Sequence, residues 1–127
     1  MTESQVDALV LFGATGDLSF KKIFPALQAM IKRGQLTVPV IGVAKANRML
    51  EQVRDRARES LSQFGGGVDE AAFAELVRLL RYVDGDYREE ETFVRLRQEL
   101  GGARRPLYYL AIPPSMFPTV VVGLGKS

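Results

Sequence analysis

The stretch of sequence that decides the fold covers residues 8–18 and reads ALVLFGATGDL. Its first five residues are apolar without a break, which is typical of a strand buried on both faces of a parallel sheet. Gly13 and Gly16 then predict a tight turn, and apolar side chains at helical spacing follow until Gly34 ends the helix. Because Pro25 removes a backbone donor, we expect the regular helix to begin close to Phe24, after a looser turn.

The alternation of strands and helices continues along the chain. The patterns predict strands at residues 8–12, 39–44, 81–84 and 106–112, and helices at residues 18–32, 49–64, 69–80, 89–100 and 116–124. Such alternation predicts an α/β fold with a Rossmann-like, doubly wound parallel sheet, whose ligands bind at the carboxyl ends of the strands. A complete fold of this class has about six strands, so the sheet is expected to be truncated before its last strands.

Length and composition exclude several classes of function. The chain has 127 residues, of which 46% are hydrophobic and 25% charged, as in one soluble globular domain. The apolar-rich run at residues 8–15 is too short to cross a membrane and follows no basic region, so we expect a cytoplasmic protein without a membrane partner. The absence of cysteine and histidine excludes thiolate metal sites and the commonest general base, and we predict no metal site. A net charge of +2 gives no indication of nucleic-acid binding.

The turn between the first strand and the first helix has the chemistry of a phosphate-binding loop. Glycines let the backbone approach a ligand closely, and the free N–H groups at the start of a helix favour an anion such as a pyrophosphate. Thr15 adds a hydroxyl group, and Lys21 and Lys22 add positive charge in the next turn. The spacing departs from G-x-G-x-x-G, so a glycine turn that binds nothing is the alternative interpretation.

The end of the second strand indicates which dinucleotide would bind. A site that prefers NAD usually has an acidic residue there, which accepts hydrogen bonds from the ribose 2′-hydroxyl. Here residues 45–48 read KANR, without a carboxylate. Lys45 or Arg48 would attract a 2′-phosphate, so the sequence favours NADP. The alternative is that both are solvated loop residues.

Residues 13–25, GATGDLSFKKIFP, closely resemble the coenzyme fingerprint of the glucose-6-phosphate dehydrogenase family, G-A/G-S/T-G-D-L-A-x-K/R-K-L/I-Y/F-P. Residues 40–45 and 108–117 agree with further family blocks in order and spacing, so the resemblance spans residues 9–125. It implies the oxidation of D-glucose 6-phosphate to 6-phospho-D-glucono-1,5-lactone with reduction of NADP+, the first step of the oxidative pentose phosphate pathway. It also implies that the full-length enzyme binds glucose 6-phosphate and forms a homo-oligomer.

The resemblance implies a coenzyme site at the positions that match the family's motifs. These are Gly13, Ala14, Thr15, Gly16, Asp17, Leu18, Lys45, Asp86, Tyr87, Ala111 and Phe117. Lys22 matches a lysine that lies near both coenzyme and substrate. Lys45 stands where the family usually has an arginine that binds the 2′-phosphate. Since lysine lacks the planar guanidinium fork, the preference for NADP is expected to be weaker.

Two family motifs are absent from the chain, Glu-Lys-Pro-Phe-Gly and the Arg-Ile-Asp-His-Tyr-Leu-Gly-Lys-Glu motif that carries the catalytic histidine. We therefore expect residues 1–127 to form an N-terminal NADP-binding domain that lacks its C-terminal end, the catalytic α+β domain and every catalytic residue. This chain alone should be inactive. The alternative is a non-catalytic Rossmann-like nucleotide-binding or scaffold module. A complete short-chain reductase would need a Tyr-x-x-x-Lys pair, which the sequence lacks.

Overall fold

The computed structural model describes residues 6–126, with side chains up to residue 125. The four strands are β1 (Ala8–Phe12), β2 (Val40–Ala44), β3 (Leu80–Asp84) and β4 (Pro106–Leu110). The α-helices are α1 (Phe24–Lys32), α2 (Leu50–Phe64), α3 (Glu70–Leu79), α4 (Glu90–Leu100) and α5 (Phe117–Lys126). A π-helical turn at Ser19–Ile23 precedes α1, and a 3-10 turn at Pro114–Met116 precedes α5.

The strands form one parallel sheet in the order β3-β2-β1-β4. The chain adds β2 and β3 on one side of β1 and then returns to place β4 on the other side. The sheet is therefore doubly wound, as the sequence predicted. The point where the strand order reverses lies between β1 and β4, and this is where such sheets bind ligands. The turn after β1 lies directly at that position.

Helices cover both faces of the sheet. On one face, Phe24 and Leu27 of α1 pack with Leu61 of α2 and Leu76 of α3. On the other face, Phe93 and Leu96 of α4 pack with Val120 of α5 and with strand residues that include Val10 and Phe12. Every residue of β2 is buried, as expected for a strand covered on both faces. This layering buries the strands and leaves the loops after them to form a site.

Proline residues account for two of the differences between the predicted and observed boundaries, at the start of α1 and the end of β4. The sequence placed a looser turn before Phe24, and the π-helical turn at Ser19–Ile23 confirms it. The fourth strand ends at Leu110, not at residue 112. Ala111 still donates a 2.9 Å hydrogen bond to the Phe12 carbonyl, but the chain then turns at Pro113 into the 3-10 turn. The third strand begins at Leu80, one residue early, because α3 passes into it without a loop.

Among the strands that the structure describes, β4 is an edge strand that pairs only with β1. Its residues Leu107, Tyr108 and Tyr109 are 52%, 38% and 44% exposed, so this apolar run is not buried like those of β1 and β2. Within residues 6–126, no helix has both the length and the apolar character needed to cross a membrane.

Candidate functional site at the strand ends

A cleft of about 490 Å³ opens at the carboxyl ends of the strands. Its walls come from the loops after all four strands, so it joins segments that are far apart in the sequence. The lining residues are Gly13, Thr15, Gly16, Ala44, Lys45, Asp86, Tyr87, Arg88, Ala111, Ile112, Pro113 and Met116. A second cleft, of about 430 Å³, lies between the start of α4 and α5 and has a mainly apolar wall around Phe93, Pro118 and Val122.

Gly13 is the residue on which the turn after β1 depends. Its φ of +88° lies in the left-handed region, and a Cβ atom there would overlap the carbonyl group of Ala111 at the end of β4. The Gly13 N–H donates to the Val43 carbonyl at 2.8 Å. The Gly13 carbonyl accepts from the Ser19 hydroxyl at 2.9 Å and from the Gly16 N–H at 3.0 Å. The turn is therefore held tightly against both neighbouring strands.

The turn leads into a helix whose first donors are available to a ligand. The helical conformation begins at Asp17, and Thr15 lines the cleft just before it. In the part of the chain that the structure describes, the backbone N–H groups of Thr15 and Asp17 donate to no protein acceptor. Unpaired N–H groups at a helix start, together with a hydroxyl group, fit the phosphate oxygens of a nucleotide.

Tyr87, in the loop after β3, ties this turn to the end of β2. Its hydroxyl group accepts the Gly13 N–H at 2.9 Å and donates to the Val43 carbonyl at 3.0 Å. Its ring packs edge-on against Phe12 with centroids 5.7 Å apart. Burial raises the pKa of Tyr87 to about 12, so the hydroxyl keeps the proton that it donates. Tyr87 therefore positions the glycine turn by bonding to the backbone of the turn and of β2.

Asp84, the last residue of β3, shapes the loop after β2. Its carboxylate accepts the backbone N–H groups of Ala46, Asn47 and Arg48 at 3.0, 3.1 and 3.2 Å. The Tyr82 hydroxyl donates to the same carboxylate at 2.5 Å. Asn47 takes a positive φ of 52°, which lets three successive N–H groups converge on one acceptor. This arrangement fixes the start of the loop, where Lys45 projects.

We expect Asp84→Asn to destabilise the fold by roughly 1–3 kcal/mol at neutral pH, because a charged acceptor of several hydrogen bonds is lost. Burial opposes ionisation of Asp84, but the hydrogen bonds from Tyr82 and the backbone outweigh it and lower the pKa of the carboxyl. A lowered folded-state pKa gives stability that is present above the unfolded-state value and is lost as the pH falls through the folded-state value.

Urea denaturation of the wild type between pH 7 and pH 2 should therefore show a loss of stability in acid, and Asp84→Asn should show less of it. Asp55→Asn, at an exposed position on α2, is the matched control and should follow the wild type. Equal acid dependence in the wild type and Asp84→Asn would show that this carboxylate does not hold the loop.

Asp86 lies between two cations on the wall of the cleft. Its carboxylate is 3.2 Å from the Lys45 ammonium group and receives two hydrogen bonds from the Arg88 guanidinium, at 2.9 and 3.1 Å. The backbone N–H of Arg88 also donates to it, at 2.8 Å. The Arg88 hydrogen bonds, assisted by Lys45, hold the pKa of Asp86 well below its usual range.

Seven of the residues selected from the sequence meet in the cleft: Gly13, Thr15, Gly16, Lys45, Asp86, Tyr87 and Ala111. The other five do not line it. Ala14 is buried against Gly42 in the sheet. Asp17, Leu18 and Lys22 are exposed on the helical segment, and Phe117 begins α5, one residue after Met116, which does line the cleft. The contacts of all twelve residues with a coenzyme stay predictions.

Sequence reasoning missed Arg88, Asp84 and Tyr82. The role of Asp84 depends on the adjacency of β2 and β3, whereas Tyr82 and Arg88 donate to carboxylates two residues away in the sequence. The sequence offered one signal for them, an acidic residue at the end of a strand. Arg48, the alternative to Lys45, instead lines a separate groove along α2 with Gln52 and Asp55. Among the described residues, no group of acidic side chains could hold a metal ion.

Comparison with known proteins agrees with this geometry. A family model described as "Glucose-6-phosphate dehydrogenase, NAD binding domain" matches residues 10–127. Glucose-6-phosphate 1-dehydrogenase 1 of Mycobacterium tuberculosis is 38% identical over 120 residues, which cover 94% of this chain and 26% of the relative. "Glucose-6-phosphate 1-dehydrogenase 6, cytoplasmic" of Arabidopsis thaliana is 35% identical over 126 residues, covering 89% of this chain and 24% of the relative.

Solved structures show the same likeness. The crystal structure of glucose-6-phosphate 1-dehydrogenase from Mycobacterium avium superposes with a TM-score of 0.91 at 41% identity, covering 96% of this chain and 27% of that one. A glucose-6-phosphate dehydrogenase in complex with its substrate gives a TM-score of 0.84 at 32% identity, covering 96% of this chain and 28% of that one. The chain thus spans about a quarter of the length of these relatives. Because the family match extends from the middle of β1 to the last residue, the chain belongs to the family of glucose-6-phosphate dehydrogenase NAD-binding domains.

Proposed function

We propose that this chain is the coenzyme-binding part of an NADP-dependent glucose-6-phosphate dehydrogenase. The enzyme would oxidise D-glucose 6-phosphate to 6-phospho-D-glucono-1,5-lactone in the oxidative pentose phosphate pathway. Residues 1–127 would form its N-terminal domain, and the catalytic α+β domain would lie outside them. The observation that carries the proposal is the cleft itself, where a glycine turn with free N–H groups faces a lysine at the end of β2.

Each wall of the cleft would have a separate task in binding. The N–H groups of Thr15 and Asp17, aided by the Thr15 hydroxyl, would hold the pyrophosphate at the positive end of the helix. Tyr87 holds the turn in place, since its hydroxyl group bonds to the Gly13 N–H and to the Val43 carbonyl at the end of β2. Ala111, at the end of β4, would lie beside the nicotinamide half. NADP+, when bound, supplies the hydride acceptor.

Lys45 would bind the 2′-phosphate that distinguishes NADP from NAD. Its side chain is 66% exposed on the cleft wall, whereas Arg48 lines a different groove. No carboxylate follows β2 directly, which would otherwise repel the phosphate. The geometry therefore favours Lys45 over Arg48, although either residue would explain a preference for NADP.

Titration of the 15N-labelled chain with NADP+, followed by amide NMR shifts, tests the proposal. This method detects weak binding and also shows which residues lie at the binding site. The largest shifts are expected at Gly13, Thr15, Gly16 and Lys45, with smaller ones at Ala111. Shifts confined to the apolar cleft around Phe93 and Pro118, or none up to millimolar coenzyme, would contradict it.

The isolated chain should have no dehydrogenase activity. Hydride transfer from C1 of the sugar requires a base that takes the hydroxyl proton, and the sequence has no histidine. The chain also lacks the family motif whose basic residues hold the sugar phosphate. An assay with glucose 6-phosphate and NADP+ should show no NADPH above the blank, beside an active full-length family member. NADPH formation that scales with the amount of this chain would contradict the expectation.

For the full-length enzyme we also propose a cytoplasmic location and a homo-oligomeric state, without nucleic-acid or membrane partners. Relatives from Arabidopsis thaliana and Solanum tuberosum that carry "cytoplasmic" in their names support the location. Within residues 1–127, the net charge of +2 gives no electrostatic reason for nucleic-acid binding. The oligomeric state rests on the family resemblance alone.

A further inference from the structure

The two cations that face the proposed 2′-phosphate position already have an anion between them. Asp86 Oδ2 is 3.2 Å from Lys45 Nζ and 2.9 Å from Arg88 Nη2, so one carboxylate oxygen contacts both. The contact with Lys45 joins the loop after β2 to the loop after β3 across 41 residues of sequence. All three residues line the same cleft.

The three side chains differ in their access to solvent. Those of Lys45 and Arg88 are 66% and 72% exposed, whereas that of Asp86 is 15% exposed. The cations therefore reach outward over a carboxylate that lies beneath them. A phosphate that approaches Lys45 from the cleft also approaches this fixed negative charge, which attracts the cations and repels the phosphate.

We propose that Asp86 is a specificity-determining residue. Its carboxylate competes with the 2′-phosphate of NADP for Lys45 and Arg88, and so lowers the ratio of the affinity for NADP to the affinity for NAD. The inference rests on the proposed function, since it requires the coenzyme to bind in this cleft. It also assigns Arg88 as a second cation for the phosphate. NAD+ has a neutral hydroxyl group at this position and meets no such competition.

Asp86→Asn removes the charge with little change in shape. Its amide oxygen can still accept the Arg88 backbone N–H, which the carboxylate accepts at 2.8 Å, so the loop keeps this bond. We expect NADP+ to bind roughly five- to tenfold more tightly to the variant, as removal of a unit charge a few ångströms from the phosphate allows. The affinity for NAD+ should stay within about twofold. Both are measured by amide NMR titration of the full chain.

Glu75→Gln is the matched control. Glu75 forms a similar two-bond pair with an arginine, at 2.9 and 2.5 Å from Arg78, but on α3 and outside the cleft. It should change neither affinity. Adding Arg88→Gln to Asp86→Asn should weaken NADP+ binding again without affecting NAD+.

The outcomes separate this inference from the proposed function. If Asp86→Asn weakens NADP+ binding or leaves it unchanged, the carboxylate does not compete with the phosphate and the inference is wrong, while NADP+ binding by the wild type still supports the function. If the wild type binds neither coenzyme, both fail. If the amide spectrum shows that Asp86→Asn is unfolded, Asp86→Ser replaces it, because a serine hydroxyl can also accept the Arg88 N–H. Asp86→Ser should show the same increase in affinity for NADP+.

Discussion

Lys45→Glu is expected to lower the affinity for NADP+ at least tenfold and to leave the affinity for NAD+ unchanged or higher. The substitution removes a charge-assisted hydrogen bond worth about 1.5–3 kcal/mol and puts a carboxylate where the 2′-phosphate would lie. A glutamate can accept a hydrogen bond from the 2′-hydroxyl of NAD+, and the affinity for NAD+ should therefore not fall. Titrations with both coenzymes measure the two effects, and added salt should reduce the preference of the wild type because Lys45 is exposed.

Arg48→Ala is the control for Lys45→Glu, since Arg48 lies on the same loop but lines the groove along α2. It should leave the preference for NADP+ nearly intact. Similar losses of both coenzymes in Lys45→Glu would mean that the substitution damages the fold. If Arg48→Ala alone abolished the preference, the assignment of Lys45 would be wrong, although a preference for NADP would stand.

Gly13→Ala is expected to destabilise the fold by about 3 kcal/mol or more and to abolish coenzyme binding. A left-handed φ costs a residue with a Cβ roughly 1–2 kcal/mol, and forcing a methyl group into occupied space costs about 1–3 kcal/mol in addition. The new Cβ would overlap the carbonyl group of Ala111, which is backbone and cannot move aside without shifting β4. Urea denaturation measures the loss of stability.

Gly34→Ala separates the two causes. Gly34 also has a positive φ, of +73°, but a Cβ atom there would meet nothing within 4 Å. It should therefore show only the conformational cost, roughly 1–2 kcal/mol, and bind coenzyme like the wild type. If Gly13→Ala lost no more stability than Gly34→Ala, the close approach of β4 would not be what fixes the turn.

The position of the site could be predicted because its signals are local. The apolar run of β1, the glycines after it and Pro25 act over a few residues, and together they located the strand, the turn and the start of α1. A ligand site at the switch point is then expected from the strand–helix alternation alone, without knowledge of side-chain contacts.

The contacts that complete the site could not be predicted, since they depend on which strands are neighbours. The Tyr87 hydroxyl reaches Gly13 across 74 residues of sequence, and Asp84 reaches Ala46 across 38. The sequence indicated Lys45 and Asp86 as two separate ligands. The adjacency of β2 and β3 brings them within 3.2 Å of each other, so two residues that are predicted to contact the coenzyme also form an ion pair.

A crystal structure of this chain with NADP+ bound would show whether the cleft at the strand ends is a coenzyme site selective for the 2′-phosphate. We expect the pyrophosphate over the turn at residues 13–18 and the 2′-phosphate within hydrogen-bonding distance of the Lys45 ammonium group. A dinucleotide bound instead in the apolar cleft between α4 and α5, or one whose 2′-phosphate contacts Arg48 and not Lys45, would contradict it.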